Sequence, residues 1–203
     1  MPDVNLIALR ERRCWMFDMD GTLTIPVHDF DAMRRELGLP QGLGTLEGLA
    51  ALPQELQAQR RELLNEIGWR YAVRAEPQPG ALALLELLAA RGARLGIITR
   101  NARRNTEETL RRIGCDRWFA PEDIATRDEG EPKPAPEAVL RLLGRWQALP
   151  GDGVVVGDAV YDLQAGRAAG AATVLLDPTG AAPHRPLADC CVARLDDLRA
   201  LLA

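Results

Sequence analysis

The residues best suited to chemistry are few and widely spaced. Asp18 and Asp20 stand two apart in Asp-Met-Asp-Gly-Thr, directly after the apolar run Cys14-Trp-Met-Phe. Thr99, Arg100 and Asn101 follow a second apolar run, and Asp158, with Asp162 four residues on, follows a third, Gly153 to Gly157. Lys133 lies between Pro132 and Pro134 and is the single lysine among 25 basic residues. A general bias toward arginine explains the rest of that set but not its exception. If these segments converge, four acids meet one lysine and one threonine. Carboxylates so crowded repel one another unless a cation sits among them. Hard oxygen ligands suit Mg2+, which takes few carboxylates and keeps several waters. Lysine and threonine are phosphate partners, one as a point charge and one as a hydroxyl donor. The set therefore reads as a magnesium and phosphate site. Within Asp-Met-Asp, one carboxylate can attack phosphorus, giving an aspartyl-phosphate that splits one difficult displacement into two. The other can protonate the leaving oxygen and later activate a water.

These residues can meet only if the segments that carry them lie side by side. Cys14 to Phe17, Ala93 to Thr99, Gly153 to Gly157 and Ala171 to Leu176 are short, continuous and apolar. Strands covered on both faces of a parallel sheet look like this. Helical spacing lies between them: Leu82, Leu85, Leu88 and Ala89, stopped by Gly92; a charged segment from Arg103 to Ile113, stopped by Gly114; and Val139, Leu142, Leu143 and Trp146. Alternating strands and helices predict an α/β fold with a doubly wound parallel sheet, and in such sheets ligands bind outside the carboxyl ends of the strands. From Ile25 to about Gln78 no strand pattern occurs. Phe30, Met33 and Leu37, then Leu56, Leu63, Leu64, Ile67 and Tyr71, follow helical spacing, with Pro40, Gly42, Gly44 and Pro53 as punctuation. This predicts a small all-helical insertion at 25–78, placed after the first strand, in a core made of 1–24 and 79–203.

Composition narrows the function classes. The chain has 203 residues, 47% hydrophobic and 27% charged, enough for a sizeable core. A net charge of −4 argues against a nucleic-acid-coating protein. No apolar run reaches the roughly 18 residues of a membrane span, and Leu6 to Leu9 is too short for a signal-peptide core of about 7–15 residues. A cytoplasmic protein with neither a nucleic-acid nor a membrane partner is expected. The four cysteines include no C-x-x-C pair, and only two histidines accompany them, which leaves a tetrahedral zinc site short of ligands. Buried cysteines acting as small hydrophobes fit better.

With these residues in view, the sequence resembles the haloacid dehalogenase-type phosphohydrolase superfamily. Asp18-Met-Asp-Gly-Thr22 matches its first motif, Ile97-Ile-Thr-Arg-Asn101 the second, Lys133 in Lys-Pro-Ala-Pro-Glu the third, and Gly157-Asp-Ala-Val-Tyr-Asp162 the fourth. The resemblance spans residues 13 to about 176, and the insertion stands where phosphoglycolate-phosphatase-like members carry a helical cap. It implies Asp18 as nucleophile and metal ligand, Asp20 as general acid/base with its carbonyl on the metal, and Asp158 as the third protein ligand. Asp162 would orient the site through a metal-bound water or by pairing with Lys133. Thr99, the backbone around Arg100 and Asn101, and Lys133 would hold the phosphoryl group. An acid at the position of Asp20 favours phosphate over carbon–halogen chemistry. The expected activity is a Mg2+-dependent phosphatase for a small phosphorylated metabolite. A phosphomutase of the same superfamily is the alternative; a non-enzymatic receiver-type phospho-acceptor fits poorly with the second acid and the insertion. A cap of only about fifty residues predicts an open site that admits sugar or nucleotide monophosphates.

Several residues carry competing readings. Thr99 also suits a helix cap, and Asp162 suits the first turn of a helix, where the macrodipole favours an acid. Arg100 faces either substrate or solvent. His28, at the hinge, reads as a surface histidine or a substrate contact, and Arg34 and Arg35 as a solvated helix face or a site for an anionic leaving group. Trp69 and Tyr71 read as packing within the insertion.

Overall fold

The computed structural model describes residues 6–203, with side chains from Leu9 onward; residues 1–5, the start of the expected core segment 1–24, lie outside the described residues. Six strands form one parallel sheet: β1 (Cys14–Phe17), β2 (Arg94–Ile98), β3 (Ile124–Ala125), β4 (Gly153–Gly157), β5 (Ala172–Leu176) and β6 (Cys190–Val192). Their spatial order is β3-β2-β1-β4-β5-β6. β1 therefore sits inside the sheet, paired with β2 through Phe17–Ile97 and with β4 through Phe17–Val156. All four residues of β1 and all five of β4 are buried, as expected where helices cover both faces.

Alternation hidden in the sequence appears in space. Trp15, Phe17, Ile97, Val154 and Val156 belong to one apolar cluster, while Cys14, Met16, Ile98 and Val155 belong to another on the opposite face. The first cluster is covered by α5 (Ala81–Ala90) and α9 (Leu195–Leu202), the second by α7 (Glu137–Arg145) and α8 (Val160–Ala168). Helix α1 (Leu6–Glu11) lies against α9, and α6 (Arg103–Arg112) follows β2.

The 25–78 segment is all helix in its regular parts, with α2 (Phe30–Leu37), α3 (Thr45–Ala50) and α4 (Gln54–Ala72). Asp29 caps α2 by accepting the Ala32 N–H, and Gly38 ends it in the left-handed region. Met33, Leu37, Leu49, Leu64 and Ile67 form a third apolar cluster belonging to these helices alone. The two connections to the sheet are pinned together: the Ile25 N–H donates to Glu76 O at 3.1 Å, and the Gln78 N–H to Leu23 O at 2.8 Å.

Details differ from the sequence expectation. On α5 the buried face is Ala81, Leu84, Leu85 and Leu88, and Leu82 points to solvent. Strands β3 and β6 leave no readable run, being two and three residues long at the sheet edges. Cys14 and Cys115 are buried, whereas Cys190 and Cys191 are only half-buried because β6 is an edge strand. Among the described residues, no helix is long and apolar enough to cross a membrane.

Candidate active site

Asp18 stands where β1 ends, held in register by its N–H donating to Val156 O at 2.9 Å. The chain then turns back at Gly21, where φ is 82° and any side chain would run into the Asp158 carboxylate. Glycine is required there both for the left-handed turn and for the close approach. Thr22 Oγ1 donates to Asp158 Oδ1 at 3.2 Å, which ties the first loop to the end of β4. Asp162 lies fully buried in the first turn of α8, and its Oδ2 accepts the Ala159 N–H at 3.0 Å. The buried ammonium of Lys133 donates to Asp162 Oδ1 at 2.5 Å and to Asp18 Oδ1 at 2.6 Å. One oxygen from each of Asp18, Asp158 and Asp162 lies within 4.8 Å of the others. Of the two orientations expected for Asp162, pairing with Lys133 is present, alongside its capping bond.

Asp20 has different neighbours. Asn101 Nδ2 donates to its Oδ2 at 2.5 Å, and His28 Nδ1 stands 3.8 Å from its Oδ1. Thr99 is buried; its N–H donates to Ala125 O at 2.9 Å and its Oγ1 accepts the Asn101 N–H at 3.2 Å. It caps no helix, because the residue capping α6 is Ala102.

The electrostatics follow from crowding four carboxylates around one ammonium. Burial pushes the Asp158 carboxyl up to about 8, and the charges of Asp18 and Asp162 add to the shift. Burial raises Asp162 to about 6, with Lys133 opposing. Asp20 is raised by burial and by Asp18, although His28 and Asn101 favour its charged form. Burial disfavours the Lys133 ammonium, but Asp162 and Asp18 overcome that and hold it protonated. An all-oxygen, electron-rich donor set short of positive charge suits a hard divalent cation.

A cavity of about 670 Å3 opens over these groups toward α2 and α3. Arg100 lines it, but neither sequence reading describes its guanidinium. It donates to both carboxylate oxygens of Glu47 on α3, at 2.6 and 2.8 Å, and to Lys133 O at 2.7 Å, and it lies 4.3 Å from the Tyr161 ring centroid. The side chain is thereby taken up by protein partners. His28 is not a surface residue either. Its side chain is 9% exposed, packed against Phe30 and Tyr71, and its Nδ1 is a buried atom without a hydrogen-bond partner. The one signal for it in the sequence is its position at the hinge. Arg34 also lines the cavity, paired with Asp31, while Arg35 is exposed. Tyr71 packs as expected, and Trp69 stacks beneath Arg104 of α6. Glu47, Tyr161 and Arg127 border the site without any motif to mark them. His184, to which the sequence assigns nothing, places Nε2 3.1 Å from Asp158 O.

Comparison with known proteins agrees with this geometry. A family profile described as a haloacid dehalogenase-like hydrolase matches residues 25–170. A haloacid dehalogenase-like hydrolase domain-containing protein of Arabidopsis thaliana is 32% identical over 193 residues, covering 89% of this chain and 77% of that one. A phosphoglycolate phosphatase of Pseudomonas syringae is 30% identical over 223 aligned positions, covering 98% of this chain and 81% of the relative. The crystal structure of a haloacid dehalogenase-like hydrolase from Bacteroides fragilis superimposes with a TM-score of 0.76 at 22% identity, over 92% of this chain and 99% of that one, which speaks for the fold. A profile match across most of the chain, together with relatives at 30% identity or more along most of their own length, places the protein in the haloacid dehalogenase-like hydrolase family.

Proposed function

We propose that this enzyme is a Mg2+-dependent phosphatase that hydrolyses a small phosphomonoester through an aspartyl-phosphate on Asp18. In this reading residues 25–78 form a cap over a core of 1–24 and 79–203. One observation carries it: two carboxyls of the same loop have opposed settings. Asp18 rests on the Lys133 ammonium, whereas Asp20 is pushed toward its protonated form. A lysine-held carboxylate is placed to attack, and a neighbouring carboxyl kept toward its protonated form is placed to donate.

Asp18 attacks phosphorus in line with the leaving oxygen, forming one P–O bond as the ester P–O bond breaks. Asp20 gives its proton to the departing oxygen. The resulting Asp20 carboxylate then takes a proton from a water that attacks the aspartyl-phosphate, which releases inorganic phosphate and restores both acids. Lys133, Thr99 and Asn101 border the phosphoryl position, Lys133 as the charge and the others as hydrogen-bonding groups. Asp18, Asp158 and the carbonyl of Asp20 would hold the Mg2+, with Asp162 supporting through Lys133; the clustered oxygens of Asp18, Asp158 and Asp162 suit it. When bound, the ion supplies positive charge to the phosphoryl oxygens.

The phosphatase named among the relatives supports the reaction class. The cavity lies within the range of about 300–1,000 Å3 typical of sites that enclose whole ligands. That size admits substrates larger than the two-carbon phosphoglycolate. The test is phosphate release from a metabolite panel with and without Mg2+. Asp18→Asn should lower turnover by about a thousand-fold or more, as loss of a nucleophile does. Turnover that survives this change, or proceeds equally in chelator, overturns the reading.

A further inference from the structure

Three arginines line the cavity: Arg34, Arg100 and Arg127. Two have carboxylate partners, Asp31 for Arg34 and Glu47 for Arg100. Among the described residues Arg127 forms no ion pair. Its Nη1 donates to Arg100 O at 2.9 Å and its Nη2 to Asn65 Oδ1 on α4, both neutral acceptors. Its own N–H donates to Asn101 O at 3.1 Å, which anchors it beside the turn that borders the phosphoryl position. The guanidinium thus extends from that turn toward α4. Arg61 lies one turn before Asn65 on the same helix and adds positive potential there. Burial lowers the Arg127 pKa, and the charges of Arg61 and Arg100 lower it further against the opposing Asp128. A half-buried cation whose hydrogen bonds go to neutral groups is costly as a mere staple between α4 and the core, even with Asp128 nearby.

We infer that Arg127, assisted by Arg61, forms an anion subsite at the α4 side of the cavity, and that the substrate carries a second anionic group, carboxylate or phosphoryl, besides the phosphoryl group that is cleaved. This rests on the phosphatase reading above. Each terminal nitrogen of Arg127 keeps a second N–H beyond its protein contact, so the guanidinium can still donate to either anion with charge assistance. Its position also gives direction: the cleaved phosphoryl sits at Lys133 and the second anion at Arg127, so the body of the substrate spans the cavity between them.

Three probes share one phosphoryl end and differ at the other: sorbitol 6-phosphate, 6-phosphogluconate and sorbitol 1,6-bisphosphate. With Mg2+ present, kcat/KM for at least one probe bearing a second anionic group should exceed that for sorbitol 6-phosphate by about ten-fold or more, the value of a charge-assisted contact. A gain for 6-phosphogluconate alone identifies a carboxylate; a gain for the bisphosphate alone identifies a phosphoryl group. Arg127→Gln should bring the ratio near one, and Arg127→Lys should restore part of it. Arg61→Gln, at an exposed position, should lower the ratio two- to three-fold, and it decides the matter if Arg127→Gln does not fold. Equal kcat/KM for all three probes in the wild type, or a ratio unmoved by these changes, overturns the subsite and leaves the phosphatase reading standing. No phosphate release from any probe overturns both.

Discussion

Asp18 and Asp20 leave one strand two residues apart, yet their surroundings divide them. The first meets Lys133, and the second meets Asn101 and His28. In the proposed mechanism the proton on Asp20 matters most when the leaving oxygen is a poor leaving group. Asp20→Asn should therefore slow the transfer of the phosphoryl group to Asp18 by about 10²–10⁴ for alkyl phosphates and much less for p-nitrophenyl phosphate, while the hydrolysis step that follows slows alike for both. Single-turnover release of the leaving group from both substrates checks this, and an equal loss for the two in that step contradicts it. The other acids give a pH signature in metal-free protein. Asp158 and Asp162 have folded pKa values raised to about 8 and about 6. A carboxyl with a raised folded pKa contributes stability that is complete below its unfolded pKa and is lost as pH rises through the folded value. Chelated protein should therefore melt at a lower temperature at pH 8.5 than at pH 5.5. Mg2+ bound to the folded form should raise the melting temperature more at the higher pH. Thermal melts at the two pH values, with and without Mg2+, decide it.

At the scale of elements, the turn after β2 does two jobs. Thr99 and Asn101 face the proposed phosphoryl position, while Arg100 between them reaches up to Glu47 on α3 and across the Tyr161 ring of α8. This joins the proposed cap to the core directly above the lysine whose carbonyl Arg100 also holds. Glu47 is 40% exposed, so the pair contributes modestly. Glu47→Gln should free α3 by roughly 0.5–1 kcal/mol, an increase of about two- to five-fold in amide exchange confined to α3 and its neighbours. Exchange followed by mass spectrometry reads this out. The strands that carry Asp18, Thr99 and Asp158 were legible because each is a continuous apolar run ending in polar residues. β3 and β6 were not, because a strand of two or three residues at a sheet edge buries too little to leave a pattern. The face of α5 was misjudged through Leu82, since an almost wholly apolar helix has no polar side to show which way it turns. His28 escaped for another reason: a lone histidine carries no spacing signal, and only the folding of the hinge against α2 and α4 buries it.

At the scale of the molecule, the described residues hold separate apolar cores: two on the faces of the sheet and one within α2–α4. Their independence can be tested with matched truncations. Leu85→Ala, in a fully buried position of α5, should cost about 2–5 kcal/mol of global stability. At roughly 2–4 °C per kcal/mol for a chain of this size, the melting temperature should fall by about 5–20 °C. Leu64→Ala, in the α2–α4 cluster, should lower the main transition much less while raising KM, because it loosens the proposed cap and spares the sheet. Calorimetry and steady-state kinetics on the same samples compare the two; an equal drop in melting temperature would show one cooperative unit instead.

What the sequence alone determined is the local code: apolar runs that must be buried, the breakers between them, and an acid-rich, one-lysine set at their ends. These follow from short-range chemistry, since a short continuous apolar run bounded by breakers must be covered on both faces, and Gly21 directly after Asp-Met-Asp suits a turn. What tertiary structure decided is which distant groups neutralise one another. Lys133 chose Asp18 and Asp162, Arg100 chose Glu47, and Arg127 was left with neutral acceptors. Electrostatic and hydrogen-bond partnerships depend on distances of a few ångströms between segments far apart in the chain. No spacing along the sequence encodes those distances before the sheet has brought the segments together.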